Sequence, residues 1–115
     1  IITAGRAADY PPVYGKIDEI CMKMQEDYNK SLTVSHYADL CNLSESRFAH
    51  LFKEKCGISP KKYITKIKIS TALNLLTDSD LPLAEISSIV GFEDYNYFCR
   101  IIKKETGLSP SCFRK

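Results

Sequence analysis

The sequence predicts an all-α fold, and three observations lead to that prediction. Apolar residues recur mostly at spacings of three and four, which is the spacing of one helix face. Few runs alternate between apolar and polar residues, and no Asn-Gly or Asp-Gly pair marks a hairpin turn. The two halves of the chain also repeat one another at an offset of about 50 residues. A helical unit used twice therefore accounts for most of the chain.

Length and composition fit one domain. The chain has 115 residues, of which 44% are hydrophobic and 26% charged, so it has enough apolar material for a core. No apolar run is long enough to span a bilayer, and we expect no membrane contact. The chain begins at Ile1, so we expect a fragment of a longer protein. Residues 1–12 lack periodicity and are interpreted as a linker from a missing N-terminal region.

The cysteines predict free thiols. Their number is odd, no two have Cys-x-x-Cys spacing, and neither histidine pairs with a cysteine at zinc-site spacing. We therefore expect neither a disulfide framework nor a metal or other cofactor, and reduced thiols are typical of the cytoplasm. The five are Cys21, Cys41, Cys56, Cys99 and Cys112.

The net charge of +2 hides two basic zones. Residues 47–68 carry seven basic side chains and one acidic one, for a net charge of +6. Residues 93–115 carry five basic and three acidic side chains, for a net charge of +2. Residues 1–46 and 69–92 are each net −3. This distribution suits an acidic partner met locally. A solvated helix face is the alternative reading of the same charges.

The first helix is predicted over about 14–29 and a short second helix over about 33–41. Thr33 or Ser35 starts the second helix. The apolar residues of the first helix fall at core spacing: Ile17, Ile20, Cys21, Met24 and Tyr28.

The third and fourth helices are bounded by capping residues. Ser44 is a favourable N-cap for a helix over about 45–56, and Gly57 suits the position just past its end. Ser59 and Pro60 then start a fourth helix as N-cap and first residue, and this helix runs to about Leu76.

The second half repeats this plan. Pro82 opens a fifth helix that runs to about Val90, and a turn over 91–93 follows. Asp94 caps a sixth helix over about 95–106, which Gly107 ends, and Ser109 with Pro110 starts a final short turn.

The repeat defines one supersecondary unit. The matched pairs at an offset of 50 are Phe48/Phe98, Lys53/Lys103, Gly57/Gly107, Ser59/Ser109 and Pro60/Pro110. Upstream of the cap the offset is 49, because Glu93 lengthens the second turn. Each unit is a short helix, a turn and a longer capped helix, which is a helix-turn-helix arrangement. A plain helical bundle is the alternative.

The two longer helices have matched faces. The inward stripes are Phe48, Leu51 and Phe52 in one and Phe98, Ile101 and Ile102 in the other. The opposite stripes are Ser46, Ala49, His50 and Lys53, and Asn96, Cys99, Arg100 and Lys103. Small or hydrogen-bonding residues followed by a basic residue suit approach to a DNA groove and its phosphates. We interpret Glu45 and Asp94 as caps or dipole partners rather than base readers.

The segment from Ser31 to Arg114 resembles the AraC/XylS family of bacterial transcription regulators. The second unit carries the clearest signature: Ile86, Gly91-Phe92, Tyr97-Phe98, Arg100, Lys103-Lys104, Thr106-Gly107, Ser109-Pro110 and Phe113-Arg114. The first unit fits through Ala38, Leu43-Ser44, Phe48, Leu51-Phe52-Lys53 and Gly57, and the central helix through Lys68, Ala72, Leu75 and Leu76.

The resemblance implies a seven-helix DNA-binding domain over 13–115. Two helix-turn-helix subdomains, about 13–60 and 78–115, are joined by a central linker helix over about 61–77. Their recognition helices are expected in successive major-groove segments on one face of double-stranded DNA. Carried over by position, the base-facing residues are Glu45, Ser46, Ala49, His50, Tyr95, Asn96, Cys99 and Arg100. The expected phosphate partners are Lys53, Lys55, Lys103 and Lys104.

Several of these positions carry individual expectations. Arg100 is expected to read guanine and Asn96 adenine. Ala49 and Cys99 offer little hydrogen bonding, and Tyr97 is expected in the core or between helices. Lys68 stands where the family has arginine and lacks its planar fork.

The resemblance also implies partners and a place in the cell. RNA polymerase is an expected partner in transcription activation, an effector or dimerisation domain is expected outside this chain, and the cytoplasm is the expected location.

A helical protein-interaction domain, with the basic stripe facing an acidic protein, is the alternative function. No P-loop, nucleophile elbow or His-Glu-x-x-His motif supports an enzyme.

Overall fold

The computed structural model describes residues 12–30 and 32–114. There the chain forms six α-helices and one 3-10 turn, without strands, which confirms the all-α prediction. The elements are α1 (Pro12–Asp27), α2 (Val34–Leu40), α3 (Glu45–Cys56), α4 (Pro60–Asp78), α5 (Leu83–Ile89), α6 (Tyr95–Thr106) and the 3-10 turn (Pro110–Phe113).

Two details differ from the expected seven helices and linker. The seventh element is a 3-10 turn rather than an α-helix, because it has only four residues, and such short elements favour i to i+3 bonds. The Cys112 amide accordingly donates to the Ser109 carbonyl oxygen at 3.0 Å. Residues 1–11 of the predicted linker lie outside the described residues, and Pro12 is already the first residue of α1.

The described residues pack into two compact units. The first consists of the residues up to Asp27 and of Leu32–Tyr63, and the second of residues 28–30 and those from Ile64 onward. The chain passes from the first unit to the second within α4. This helix therefore holds the sequence position predicted for the central linker.

The helices of the first unit begin and end where the capping residues predict. The Thr33 hydroxyl accepts a hydrogen bond from the His36 amide at 3.2 Å, and the Ser44 hydroxyl accepts one from the Arg47 amide at 3.1 Å. Gly57 follows α3 in the left-handed conformation, with φ of 86°. Since only glycine adopts this backbone without strain, α3 ends there.

The core of the first unit lies between α3 and the two helices before it. Both α1 and α2 contact α3. The buried side chains are Ile17, Ile20 and Met24 from α1, Tyr37 and Ala38 from α2, and Phe48, Leu51 and Phe52 from α3. The prediction that Tyr28 belongs to the buried face of the first helix is wrong. Because α1 ends at Asp27, Tyr28 leaves that face, and it packs against the core of the second unit.

The second unit has a matching core around α6. Asp94 accepts hydrogen bonds from the amides of Asn96 and Tyr97 at 2.9 and 3.4 Å, which confirms it as the cap. Gly107 ends α6 with φ of 85°. The buried cluster consists of Ile69, Ala72, Leu76, Ile86, Val90, Phe92, Phe98 and Ile102.

The turns of the two units contain equivalent backbone hydrogen bonds. The Leu43 amide donates to the Ala38 carbonyl oxygen at 3.0 Å, and the Phe92 amide donates to the Ser87 carbonyl oxygen at 2.9 Å. The preceding residue is left-handed in both, Asn42 with φ of 57° and Gly91 with φ of 93°. These pairs stand 49 residues apart, so the backbone repeats as the sequence does. Among the residues placed by the structure, no helix is both long and apolar enough to cross a membrane.

Candidate nucleic-acid interface

The helices α3 and α6 each turn one face into the core of their own unit. Phe48 and Phe52 of α3, and Phe98 and Ile102 of α6, have no exposed surface. Ile101 is half-buried rather than buried, although it packs against the core. The inward stripes are therefore largely as predicted, and most of the candidate residues lie away from them, although Cys99 packs against the core.

On α3 the predicted outward residues are accessible. Glu45, Ser46 and His50 are exposed, and Ala49 is half-buried. The cap is Ser44, so Glu45 stands in the first helical turn, where a carboxylate is favoured by the helix dipole. This agrees with its interpretation as a dipole partner.

His50 has a carboxylate one helical turn away. Its Nε2 lies 3.6 Å from Glu54 Oε2, and the two side chains are 66% and 49% exposed. A pair this exposed contributes little to stability, and it is an ion pair only when the imidazole is protonated. The His50 ring can therefore leave Glu54 for a ligand at small cost.

On α6 the matching residues follow the same pattern of exposure. Tyr95, Asn96 and Arg100 are exposed, and Cys99 is half-buried and packs against the core. A hydrogen bond with the Cys99 side chain is the main cause that raises the pKa of Tyr95, with burial as a smaller cause. The Tyr95 phenol therefore stays protonated and remains a hydrogen-bond donor at neutral pH.

Tyr97 is not in the core. Its side chain is 40% exposed, so of the two positions expected for it, in the core or between helices, the core position is wrong. It precedes Phe98 by one residue, and a helix rotates by about 100° per residue, which takes Tyr97 away from the inward stripe. Its ring lies 6.0 Å from the Phe92 ring, and the Arg100 guanidinium carbon lies 6.0 Å from its centroid. This cation–π contact restrains Arg100 on the outer face.

The four candidate phosphate-binding lysines fall into two groups. Lys53, Lys103 and Lys104 are exposed. Lys55 is half-buried, and its Nζ lies 3.0 Å from Asp18 Oδ1 of α1. The hydrogen bond to Asp18 raises the pKa of Lys55. A phosphate would have to compete with this carboxylate for Lys55, and the sequence pattern of α3 alone does not reveal Asp18.

Lys68, which we did not predict to be a site residue, supports the part of the candidate interface that α6 forms. The Lys68 ammonium of α4 donates to the Gly91 carbonyl oxygen at 3.1 Å and lies 5.1 Å from the Phe92 ring centroid. Burial lowers the pKa of Lys68, and the nearby Glu93 carboxylate opposes that shift. Lys68 thus ties the turn before α6 to α4. The resemblance marked the position, but it did not identify the partner.

Metal ligands do not cluster in the described part of the chain, where no group of three or more His, Cys, Asp or Glu side chains is placed to hold an ion. All five cysteines are free thiols.

Comparison with known proteins gives one consistent result. A family model described as a helix-turn-helix domain matches residues 37–115. The arabinose operon regulatory protein of Escherichia coli K12 is 36% identical over 106 residues, which cover 91% of this chain and 36% of that protein. The chain thus spans about a third of the length of that curated relative.

Solved structures resemble the chain over most of its length. The C-terminal domain of AraT, a response regulator from Geobacillus stearothermophilus, superposes with a TM-score of 0.83 at 28% identity, covering 90% of this chain and 87% of that one. The DNA-binding domain of AdpA, a global transcriptional factor solved in complex with a target DNA, gives a TM-score of 0.81 at 21% identity, covering 86% and 89%. The second likeness concerns the fold alone.

Proposed function

Because this chain belongs to the AraC-type family of helix-turn-helix proteins, we propose that it binds double-stranded DNA sequence-specifically as the DNA-binding part of a bacterial transcriptional regulator. The observation that carries the proposal is the matched outer face of α3 and α6. Each bears exposed hydrogen-bonding residues and, farther along, an exposed lysine, on a helix whose other face is fixed in a core. The relatives are regulators rather than enzymes.

On α6 we assign base reading to Arg100 and Asn96. A guanidinium can donate two parallel hydrogen bonds to guanine O6 and N7, and an amide can pair with adenine N6 and N7. Tyr97 holds Arg100 from one side, which reduces the rotamer freedom that binding would remove. Tyr95 supplies a protonated hydroxyl, and half-buried Cys99 offers a small apolar surface that suits a thymine methyl group.

On α3 we assign the corresponding role to Ser46, Ala49 and His50. Ser46 and His50 can donate or accept at base edges, and Ala49 is small enough to let the helix approach the groove. Glu45 has the same place at the helix start as Tyr95, but we assign its carboxylate to the helix dipole rather than to base reading.

The lysines are assigned to the phosphate backbone. Lys53, Lys103 and Lys104 are exposed and belong to the last turns of α3 and α6, so they can reach phosphates beside a groove that holds the helix. Lys55 is expected to contribute least of the four, because its ammonium is already paired with Asp18.

The proposal extends to the rest of the protein. The two recognition helices are proposed to enter successive major-groove segments on one face of the duplex, which the repeat at 49–50 residues supports. AdpA is recorded with a target DNA, and the relatives are operon regulators. We propose RNA polymerase as a second partner, control by an effector or dimerisation domain elsewhere in the protein, and a cytoplasmic location.

The salt dependence of duplex binding tests this function. Several phosphate contacts predict that the logarithm of the binding constant falls steeply and linearly with the logarithm of salt concentration. Replacement of Lys103 by Gln should reduce that slope by about one, whereas Glu105→Gln, on the same helix, is the matched control and should leave the slope nearly unchanged. If no duplex is bound even at low salt, the DNA-binding proposal is wrong, and the alternative of a protein-interaction domain gains support.

A further inference from the structure

We propose that Cys21 and Cys56 form a redox modification site, in which a hydroperoxide converts the two thiols into a reversible disulfide. Their Sγ atoms lie 3.8 Å apart although the residues are 35 positions apart in the sequence. Cys21 belongs to α1 and Cys56 is the last residue of α3. Both side chains are half-buried. The inference is independent of DNA binding.

The two sulfur atoms already have the proximity that a disulfide requires. A disulfide bond is about 2.05 Å long, so the sulfur atoms need to approach by less than about 2 Å. A second link fixes the same two helices beside them, since Lys55 Nζ lies 3.0 Å from Asp18 Oδ1. Asp18 is three positions before Cys21, and Lys55 is next to Cys56 in the sequence. The ion pair thus lies at the same close approach of α1 and α3 that brings the two sulfur atoms together.

The surroundings give the two thiols different roles. Burial raises the pKa of Cys21 to about 11, and the hydrogen bond with Cys56 is the next cause. Cys21 therefore stays a thiol at neutral pH and is a poor first nucleophile, because the thiolate is the reactive form. Cys56 is the last residue of α3, beside the exposed Gly57, and we assign it as the sulfur that first meets the oxidant.

The chemistry balances with one hydroperoxide. The Cys56 thiolate attacks the peroxide, so an S–O bond forms, the O–O bond breaks, and the leaving hydroxide takes a proton to become water. The Cys21 sulfur then attacks the Cys56 sulfenic acid. The S–S bond forms, the S–O bond breaks, and the hydroxyl leaves as water with the Cys21 proton. Two thiols and one hydrogen peroxide give one disulfide and two waters.

The disulfide would stabilise the first unit. It closes a long loop between α1 and the end of α3, and such closure restricts mainly the unfolded chain. We expect the thermal midpoint of the oxidised protein to rise by at least about 5 °C and to return on reduction. The outward residues of α3 begin at the opposite end of that helix, so the bond itself does not cover them.

The experiment uses the full chain, fully reduced and then treated with a small excess of hydrogen peroxide. After free thiols are alkylated, peptide mapping should show one dominant linked pair, Cys21 with Cys56, and the intact mass should be lower by two hydrogen atoms before alkylation. Cys21→Ala and Cys56→Ala should each abolish this link. Cys112→Ser, which removes the exposed thiol, and Cys41→Ser should leave it unchanged, provided circular dichroism shows each variant folded.

Two results would overturn the proposal. One is oxidation that leaves Cys21 and Cys56 unlinked, whether as separate sulfinic acids or with links only among the other cysteines. The other is a Cys21–Cys56 bond that lowers the thermal midpoint, because this would mean that the native helices must separate before the sulfur atoms can meet.

Discussion

The Lys68 ammonium donates a hydrogen bond of 3.1 Å to the carbonyl oxygen of Gly91, across 23 positions of sequence. Gly91 is the left-handed residue of the turn before α6, and Phe92, whose ring Lys68 also faces, is part of the buried cluster. One side chain of α4 thus holds both the backbone and the aromatic ring that set the start of a proposed recognition helix.

Replacement of Lys68 by Met tests this contact. Methionine keeps most of the apolar stem but removes the donor, so the Gly91 carbonyl oxygen loses its partner. We expect unfolding to become easier by about 1 kcal/mol, since relief from burying a charge offsets part of the lost hydrogen bond. Urea denaturation measures the change. Lys68→Arg keeps a charged donor, so this variant should lose less stability than the Met variant. Equal stability of the Met variant and the native protein would contradict the role of the contact.

Gly91 is predicted to be the least replaceable of the left-handed glycines. A Cβ atom at Gly91 would lie 2.9 Å from the Asn29 Cα atom, whereas at Gly107, with a similar φ, it would meet nothing within 4 Å. Gly107→Ala should therefore cost only the backbone strain, about 1 kcal/mol, and Gly91→Ala about 2–4 kcal/mol. Thermal unfolding of the two variants compares them. Equal losses would show that the close approach to Asn29 has no energetic weight.

The buried hydroxyl of Ser87 is predicted to destabilise the second unit. Its side chain is 2% exposed and its Oγ has no hydrogen-bond partner, while the equivalent residue of the first unit, Ala38, is equally buried. Ser87→Ala removes an unsatisfied polar atom from the core and should stabilise the protein by about 1 kcal/mol. Exposed Ser88 provides the matched control, since Ser88→Ala should change little. A loss of stability in the Ser87 variant would indicate an unrecognised partner.

The raised pKa of Cys21 predicts a loss of stability at alkaline pH. The folded protein holds this proton up to a pKa of about 11, whereas the ordinary value is 9.0. The resulting stability is complete below pH 9 and is lost as the pH rises through about 11. A pKa raised from 9.0 to about 11 corresponds to at most about 3 kcal/mol, and because Cys21 is only half-buried, solvent screening reduces the expected loss to about 1–2 kcal/mol. The free energy of unfolding should therefore fall more steeply between pH 8 and 11 for the native protein than for Cys21→Ala. Identical pH profiles of the two proteins would contradict the assignment.

Arg100 is predicted to determine one base pair of the binding site. Arg100→Ala should lose about 1–3 kcal/mol of affinity for the preferred duplex and relax the preference at one position. Arg100→Lys keeps the charge but not the planar fork, so it should retain salt-dependent affinity and still lose that preference. Competition binding with duplexes substituted at each position measures both. An unchanged preference would assign Arg100 to the phosphate backbone.

The local features of the fold could be predicted because each depends on residues within one helical turn. Ser44 and Asp94 cap their helices, and Gly57 and Gly107 end them, through bonds that span two to four residues. The C-terminal end of α1 could not be predicted in this way. Tyr28 continues its apolar spacing, and only the packing of Tyr28 in the second unit reveals that the helix has ended.

The contacts between helices could not be predicted, because spacing defines a face but not the neighbour it meets. The pairing of Lys55 with Asp18 and the approach of Cys21 to Cys56 both depend on how α1 packs against α3. The exposure of Tyr97 was missed for a related reason, since an aromatic residue next to Phe98 fits either a core or a surface position. The assigned base-facing residues stay predictions.

Selection of binding sites from random duplexes tests the central claim most directly. Two recognition helices in successive major-groove segments predict an enriched sequence with two short conserved segments, whose centres are about 10 base pairs apart. Arg100→Ala should weaken conservation in one segment and leave the other intact. Selection that enriches no sequence, or only one conserved segment that Arg100→Ala leaves unchanged, would contradict a DNA reader with two recognition helices.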